Sequence, residues 1–168
     1  MECSCERCQG LCRSKPGWFA PEEIRPLAER LHLTVEDLFK KRLTVDAALM
    51  GEKNKTIGIY VLAPAMMSQK SGTISDPTTR GACIWFKDGR CEIHEVKPLE
   101  CRSVDHLTTP HDSNLLRASL LKRWAPYKKF VQDLYGKKLK LPDALRDEYR
   151  KATRGRKKQE NAPRHEES

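Results

Sequence analysis

Cys83-Ile84-Trp85-Phe86-Lys87-Asp88-Gly89-Arg90-Cys91-Glu92-Ile93-His94 is the stretch whose reading decides the fold. Two short runs rich in β-branched and aromatic residues flank Asp88-Gly89, a hairpin signal. A three-residue loop, Lys87-Asp88-Gly89, places Gly89 at the left-handed position, Phe86 opposite Arg90 and Trp85 opposite Cys91. Side chains alternate along a strand, so Cys83, Trp85, Cys91 and Ile93 then share one side of the ribbon. A two-residue loop gives the opposite parity: Cys83 faces His94 and Cys91 points away. The first register is the expected one, because it aims both sulfurs at one centre. Cys101 follows Lys97-Pro98-Leu99-Glu100, where Pro98 can turn the chain back toward that centre.

A second group of cysteines opens the chain. Cys5-Glu6-Arg7-Cys8 is a CxxC, whose tight turn lets two sulfurs reach one ion, and Cys12 lies one helical turn beyond Cys8. The chain holds seven cysteines, an odd number, so internal disulfides cannot pair them all. Met1-Glu2-Cys3-Ser4-Cys5 lacks the basic and apolar regions of an export signal. Reduced thiols in a cytoplasmic protein are therefore expected, and with them metal ligation rather than cross-linking. Thiolates select zinc, copper(I) or iron–sulfur clusters. The expected ligands are Cys5, Cys8, Cys12, Cys83, Cys91 and Cys101, more than the four of a tetrahedral zinc site. Cys3 and His94 are further candidates, though the Cys3-Ser4-Cys5 spacing makes joint ligation awkward. His106 and His111 read as surface residues. A lone CxxC also suits a redox dithiol, and any single cysteine can be a small buried hydrophobe.

Cys5, Cys8 and Cys12, followed by Cys83, Gly89, Cys91, Ile93, His94, Lys97, Pro98, Cys101 and Arg102, form a pattern that resembles the YkgJ family of cysteine-cluster proteins. The family motif is CxxCxxCC near the N-terminus, then C…G-x-C-x-I-[YH]-x-x-[RK]-P-x-x-C-R. Pro16-Gly17-Trp18-Phe19-Ala20-Pro21-Glu22-Glu23-Ile24 also looks familial, and the resemblance spans roughly residues 3–105. It implies a zinc- or iron-chelating domain and no defined reaction, although some relatives look like flagellin lysine methylases. One departure stands out: Leu11-Cys12 replaces the family's paired cysteines, so one thiolate is missing.

Outside the cysteines, the 168 residues are only 38% apolar and 7% aromatic. A chain of that length buries about two-thirds of its unfolded surface, and the modest core would profit from a metal cross-link. Pro21 opens a helix with Glu22 and Glu23 in its first turn and an apolar stripe at Ile24, Leu27, Ala28 and Leu31. Thr34 caps a second helix with Leu38 and Phe39 facing inward. Residues 57–62 read as a strand stopped by Pro64, and 68–80 as a long loop. Ser113 is the expected cap of a helix over 114–124, broken near Pro126 and resumed to Gly136. A short helix over about 143–152 follows. The class is α+β: a small irregular metal-stabilised domain with a cysteine knuckle, a short hairpin and several helices. Its parts are a cysteine-cluster domain over 1–112, helices packed on it over 113–153, and a disordered polar tail over 154–168.

Arg102 is an expected neutraliser of thiolate charge, or else half of a surface ion pair. Trp18, Phe19, Trp85 and Phe86 read as packing around the centre, and Asp105 and Asp112 as capping acids. Residues 1–112 carry 16 basic and 16 acidic side chains, and residues 113–168 carry 16 and 7, so the whole formal charge of +9 lies in the last third. That asymmetry suits an acidic partner or nucleic acid, or simply a solubilising tail. No apolar run reaches the length of a membrane span, so no membrane partner is expected. Chelation of zinc or an iron–sulfur centre is the leading function. A metal-dependent protein-modifying enzyme and a nucleic-acid-associated zinc module are the alternatives.

Overall fold

Leu43–Glu52 (β1) and Lys55–Pro64 (β2) form the centre of the molecule, an antiparallel hairpin in register from Leu43 opposite Pro64 to Glu52 opposite Lys55. The computed structural model describes residues 9–52, 55–104 and 107–160, with 52 and 154–160 described by backbone alone. Of the two strands, the sequence signalled only β2. Leu43, Val45, Val61 and Leu62 are fully buried, and so are their neighbours Thr44 and Asp46 to within 2%. Burial on both faces removes the apolar–polar alternation by which a half-exposed strand is recognised.

The helices gather around this hairpin. Pro21–Glu23 is a single 3-10 turn that leads into α2 (Ile24–Arg30), and α3 (Val35–Arg42) runs straight into β1. Thr34 caps α3 by accepting a hydrogen bond from the Asp37 amide at 3.0 Å, as its sequence indicates. Ile24, Leu27, Ala28, Leu38 and Phe39 are buried, as the helical stripes require. Gly10–Ser14 (α1) precedes them, and Leu99–Ser103 (α4) follows the second hairpin.

The long helix α5 covers Pro110–Trp124 and starts earlier than expected. Its cap is Thr109, not Ser113. Thr109 accepts from the Asp112 amide at 3.1 Å, and the Asp112 carboxylate accepts from the Thr109 amide at 3.0 Å. This reciprocal capping box, with Pro110 at the first helical position, outcompetes a serine one turn later. Ala125–Tyr127 forms a 3-10 turn at Pro126, and α6 (Lys128–Tyr135) ends at Gly136 with φ 72°, the left-handed stop the sequence signals. Helices α5 and α6 pack on β2, burying Leu120, Trp124 and Val131 completely. The Trp124 indole donates to the Phe19 carbonyl at 2.7 Å, which links this layer to the N-terminal one.

The last helix, α7 (Asp143–Glu160), continues past residue 152 and so takes in the start of the expected disordered tail. Its Ala, Leu, Arg, Glu and Lys content favours helix, and lysines near the C-terminal end suit the dipole. Residues 161–168 lie outside the described residues. The molecule is α+β, mixing helices with two small antiparallel sheets. No helix among the described residues is long and apolar enough to cross a membrane.

Candidate metal centre

The second sheet is the Cys83–His94 hairpin, reduced to Phe86–Lys87 (β3) and Arg90–Cys91 (β4). Phe86 faces Cys91 and Lys87 faces Arg90, so the turn has two residues and the expected three-residue register is wrong. Asp88 and Gly89 both have positive φ, 48° and 73°. That is the type I′ pattern, whose twist matches the strands better than a three-residue bulged loop. The parity argument then loses its force, because the ladder stops after two pairs. Cys83 lies outside it, in a turn closed by Phe86 N–H donating to the Cys83 carbonyl at 2.9 Å. Cys83, Trp85 and Ile93 join the core and Cys91 packs against it, the grouping anticipated for the other register.

Backbone pairing brings the distant cysteines together. Past Pro64, the chain bridges antiparallel from Met66 to Cys83. On its other side, the Cys83 amide donates to the Cys12 carbonyl at 2.8 Å and the Gly81 amide to the Ser14 carbonyl at 2.7 Å. Helix α1 is thereby laid along residues 81–83. Its start is fixed by Gln9, whose side-chain amide donates to the Gly89 carbonyl at 3.0 Å. Cys101, in α4, accepts a hydrogen bond at its sulfur from the Gly17 amide at 3.3 Å. Gly17 has no room for a side chain: an added Cβ would lie 2.8 Å from the Glu100 Cβ and 3.1 Å from the Cys101 sulfur.

Cys12, Cys83, Cys91 and Cys101 are all free thiols. Burial is the main influence on each. It raises the Cys12 and Cys91 pKa, pushes Cys83 up to about 12, and raises Cys101 strongly. The sulfurs are close enough to oppose one another's ionisation: Cys91 acts on Cys12, and Cys12 acts on both Cys83 and Cys101. Main-chain N–H groups favour the charged form instead. Those of Trp85 and Phe86 act on Cys83, that of Ile93 on Cys91 and that of Gly17 on Cys101. Two cations act in the same direction. Lys97 attracts charge on Cys12 and Cys91, and Arg13 attracts it on Cys12. Neither has a carboxylate partner among the described residues; Arg13 instead bonds Gln9 and lies 5.3 Å from the centre of the Phe86 ring.

Arg102 belongs to an ion pair with Glu23 and not to the sulfurs. Glu23 also accepts from the Ala20 and Leu99 amides, so its carboxylate holds the guanidinium at the α2–α4 junction. His94 opens a 3-10 turn, and its side chain makes no hydrogen bond or ion pair among the described residues. His111 is exposed beside Asp112. Cys3, Cys5, Cys8, Asp105 and His106 lie outside the described residues. Trp18, Phe19 and Trp85 are buried, Phe19 meeting Trp85 edge to face at 6.4 Å between ring centres.

Sequence reading missed the polar residues that support this region. Glu100 is 2% exposed; its carboxylate accepts from the Trp18 amide at 2.8 Å and from Arg117 at 2.6 Å. Asp46, equally buried, accepts from the Trp18 indole at 2.8 Å and pairs with Lys15 at 3.4 Å. No local motif marks either, because their partners are far away in sequence. Among the described residues, no group of three or more His, Cys, Asp or Glu side chains is arranged to hold a metal ion by itself. Compared with family models, curated proteins and solved structures, the chain finds no match.

Proposed function

We propose that this chain is a metal-binding cysteine-cluster protein whose thiolates chelate zinc or an iron–sulfur centre. Its ligands are drawn from Cys12, Cys83, Cys91 and Cys101 and completed by Cys5 and Cys8 from the N-terminal segment, since the described cysteines do not form a metal site by themselves. The supporting observation is convergence: three separated parts of the chain are joined by the Cys83 amide to the Cys12 carbonyl and the Gly17 amide to the Cys101 sulfur. Soft sulfur donors fit zinc and iron and do not fit hard cations. Without a metal, burial keeps these thiols neutral, which leaves Arg13 and Lys97 facing no anion. A divalent ion held by four thiolates carries two uncompensated negative charges, the number these two cations can offset. Amides directed at the sulfurs stabilise the same charge.

The spacing of Gly89, Cys91, Ile93, Lys97, Pro98 and Cys101 supports kinship with the YkgJ cysteine-cluster family. A centre of reduced thiolates fits a reducing compartment such as the cytoplasm. The centre supplies a structural cross-link as zinc, or electron transfer as an iron–sulfur cluster. Metal analysis and an absorption spectrum of anaerobically purified protein test this. Near-stoichiometric zinc without colour, or iron and sulfide with absorption near ~400 nm, is the expected result. Protein that folds with neither metal would overturn the reading.

A further inference from the structure

A cleft of about 330 Å³ lies beside the cysteine region and uses none of its sulfurs. Part of its lining is apolar, made by Leu11, Trp18, Leu49 and Leu145. The lining also carries two cations that converge on one atom: the Lys15 ammonium is 3.5 Å from the Pro77 carbonyl oxygen, and the Arg80 guanidinium is 2.8 Å from it. Like charges gathered at one oxygen repel, and the offset is uneven: Lys15 faces two carboxylates, Asp46, which also lines the cleft, and Asp76, whose charged form it favours. Lys15 has a loose ion pair with Asp46 at 3.4 Å. Arg80 reaches only the Pro77 and Thr79 carbonyls, with no carboxylate among the described residues. The third cation of the cleft, Arg117, is already held by Glu100 and lies 4.7 Å from the centre of the Trp18 ring.

We propose that this cleft binds a small organic carboxylate with an apolar body, its carboxylate between Lys15 and Arg80 and its body against Trp18, Leu49 and Leu145. An anion there gives Arg80, the cation without a carboxylate among the described residues, the planar, two-oxygen partner its guanidinium suits. The volume lies at the small end of ligand sites, and an apolar cavity with a few convergent polar groups is their usual form. Asp46 and Glu148, which also line the cleft, oppose additional negative charge, which favours a monoanion over a phosphate. This site does not depend on the metal reading.

The test is titration of the full-length protein as isolated with sodium hexanoate, followed by calorimetry and by the NMR signal of the Trp18 indole. Saturable binding that moves that signal is expected. Acetate, which lacks the body, and 1-hexanol, which lacks the charge, should each bind at least about tenfold more weakly. Arg80→Ala should weaken hexanoate by about tenfold or more. Ala48→Trp should block the cleft sterically, with its fold checked by thermal melting. The proposal is overturned if hexanoate does not saturate, if 1-hexanol or acetate binds equally well, or if Arg80→Ala binds like the unaltered protein. Inorganic phosphate outcompeting hexanoate would also overturn it.

Discussion

Gly17 shows how one residue sets the spacing of the candidate centre. Its amide reaches the Cys101 sulfur at 3.3 Å, and the Cα can lie that close to α4 because nothing projects from it. In Gly17→Ala the new methyl group would meet the Glu100 Cβ, the Cys101 amide and the Cys101 sulfur together. Neither the backbone nor a short buried side chain can swing aside, so overpacking should cost about 1–3 kcal/mol. If Cys101 is a ligand, metal content should fall with stability, because the sulfur is displaced. Parallel thermal melts and metal analysis check this; a variant with unchanged stability would show that the α4 contact is soft. Trp124 makes a second residue-scale case. Its indole, fully buried, donates to the Phe19 carbonyl at 2.7 Å. Trp124→Phe leaves that carbonyl without its donor and should destabilise by about 1–3 kcal/mol, measured by chemical denaturation.

Among the elements, α5 ties its N-terminus to Thr109 and Asp112. Thr109→Ala should cost about 1 kcal/mol, read in denaturant midpoints. Hydrogen bonds from the Thr109 side chain and amide hold the Asp112 carboxyl below its usual pKa. A depressed folded value means that the stabilisation is present above the unfolded pKa of 3.8 and fades as pH falls through the folded value. The gap between the Thr109→Ala and wild-type midpoints should therefore narrow, without closing, as pH falls below 3.8, since the bond from the Asp112 amide to the Thr109 hydroxyl does not titrate; a gap that stays constant would refute the carboxylate half of the capping box. What the sequence reveals follows the same physics. Thr34, Pro64, Pro126 and Gly136 act through their own backbones, so their effects are legible locally. Strand β1 was not legible, since Asp46 interrupts it; that carboxylate is buried only because Trp18 and Lys15 arrive from elsewhere in the chain. The hairpin turn fell between two readings, because Asp88-Gly89 suits both a two-residue and a three-residue loop and the register depends on how soon the ladder ends. At the candidate centre the cysteines were legible by type and spacing. Their cations were legible only in part: Arg102 and Lys97 both lay within the motif, but Arg102 is taken by Glu23, whereas Lys97 and, outside the motif, Arg13 act on the sulfurs.

At the scale of the whole molecule, the proposed metal should be coupled to folding. Cys12 and Cys83 are about 70 residues apart, and the intervening chain includes α2, α3 and the central hairpin. A metal joining them would restrict the unfolded chain as a cross-link does, by up to about 4 kcal/mol in the chain-entropy model. Domains of ordinary stability retain only about 5–15 kcal/mol, so such a contribution bears on whether the fold persists. Cys91→Ser replaces a soft thiolate by a weak hydroxyl donor at a half-buried position packed against the core. It should lower metal content and the melting temperature together. Cys3→Ser should do much less, because adjacent ligation by Cys3 and Cys5 is awkward. A chelator should then destabilise the wild type while adding little to the Cys91 variant, since both remove the same link. Melting curves of the three proteins with and without chelator, each paired with metal analysis, separate coupling from loss of packing. If Cys91→Ser melts early but keeps its full metal content, packing alone explains the loss. If Cys3→Ser loses metal and stability while Cys91→Ser keeps both, the ligand assignment is inverted.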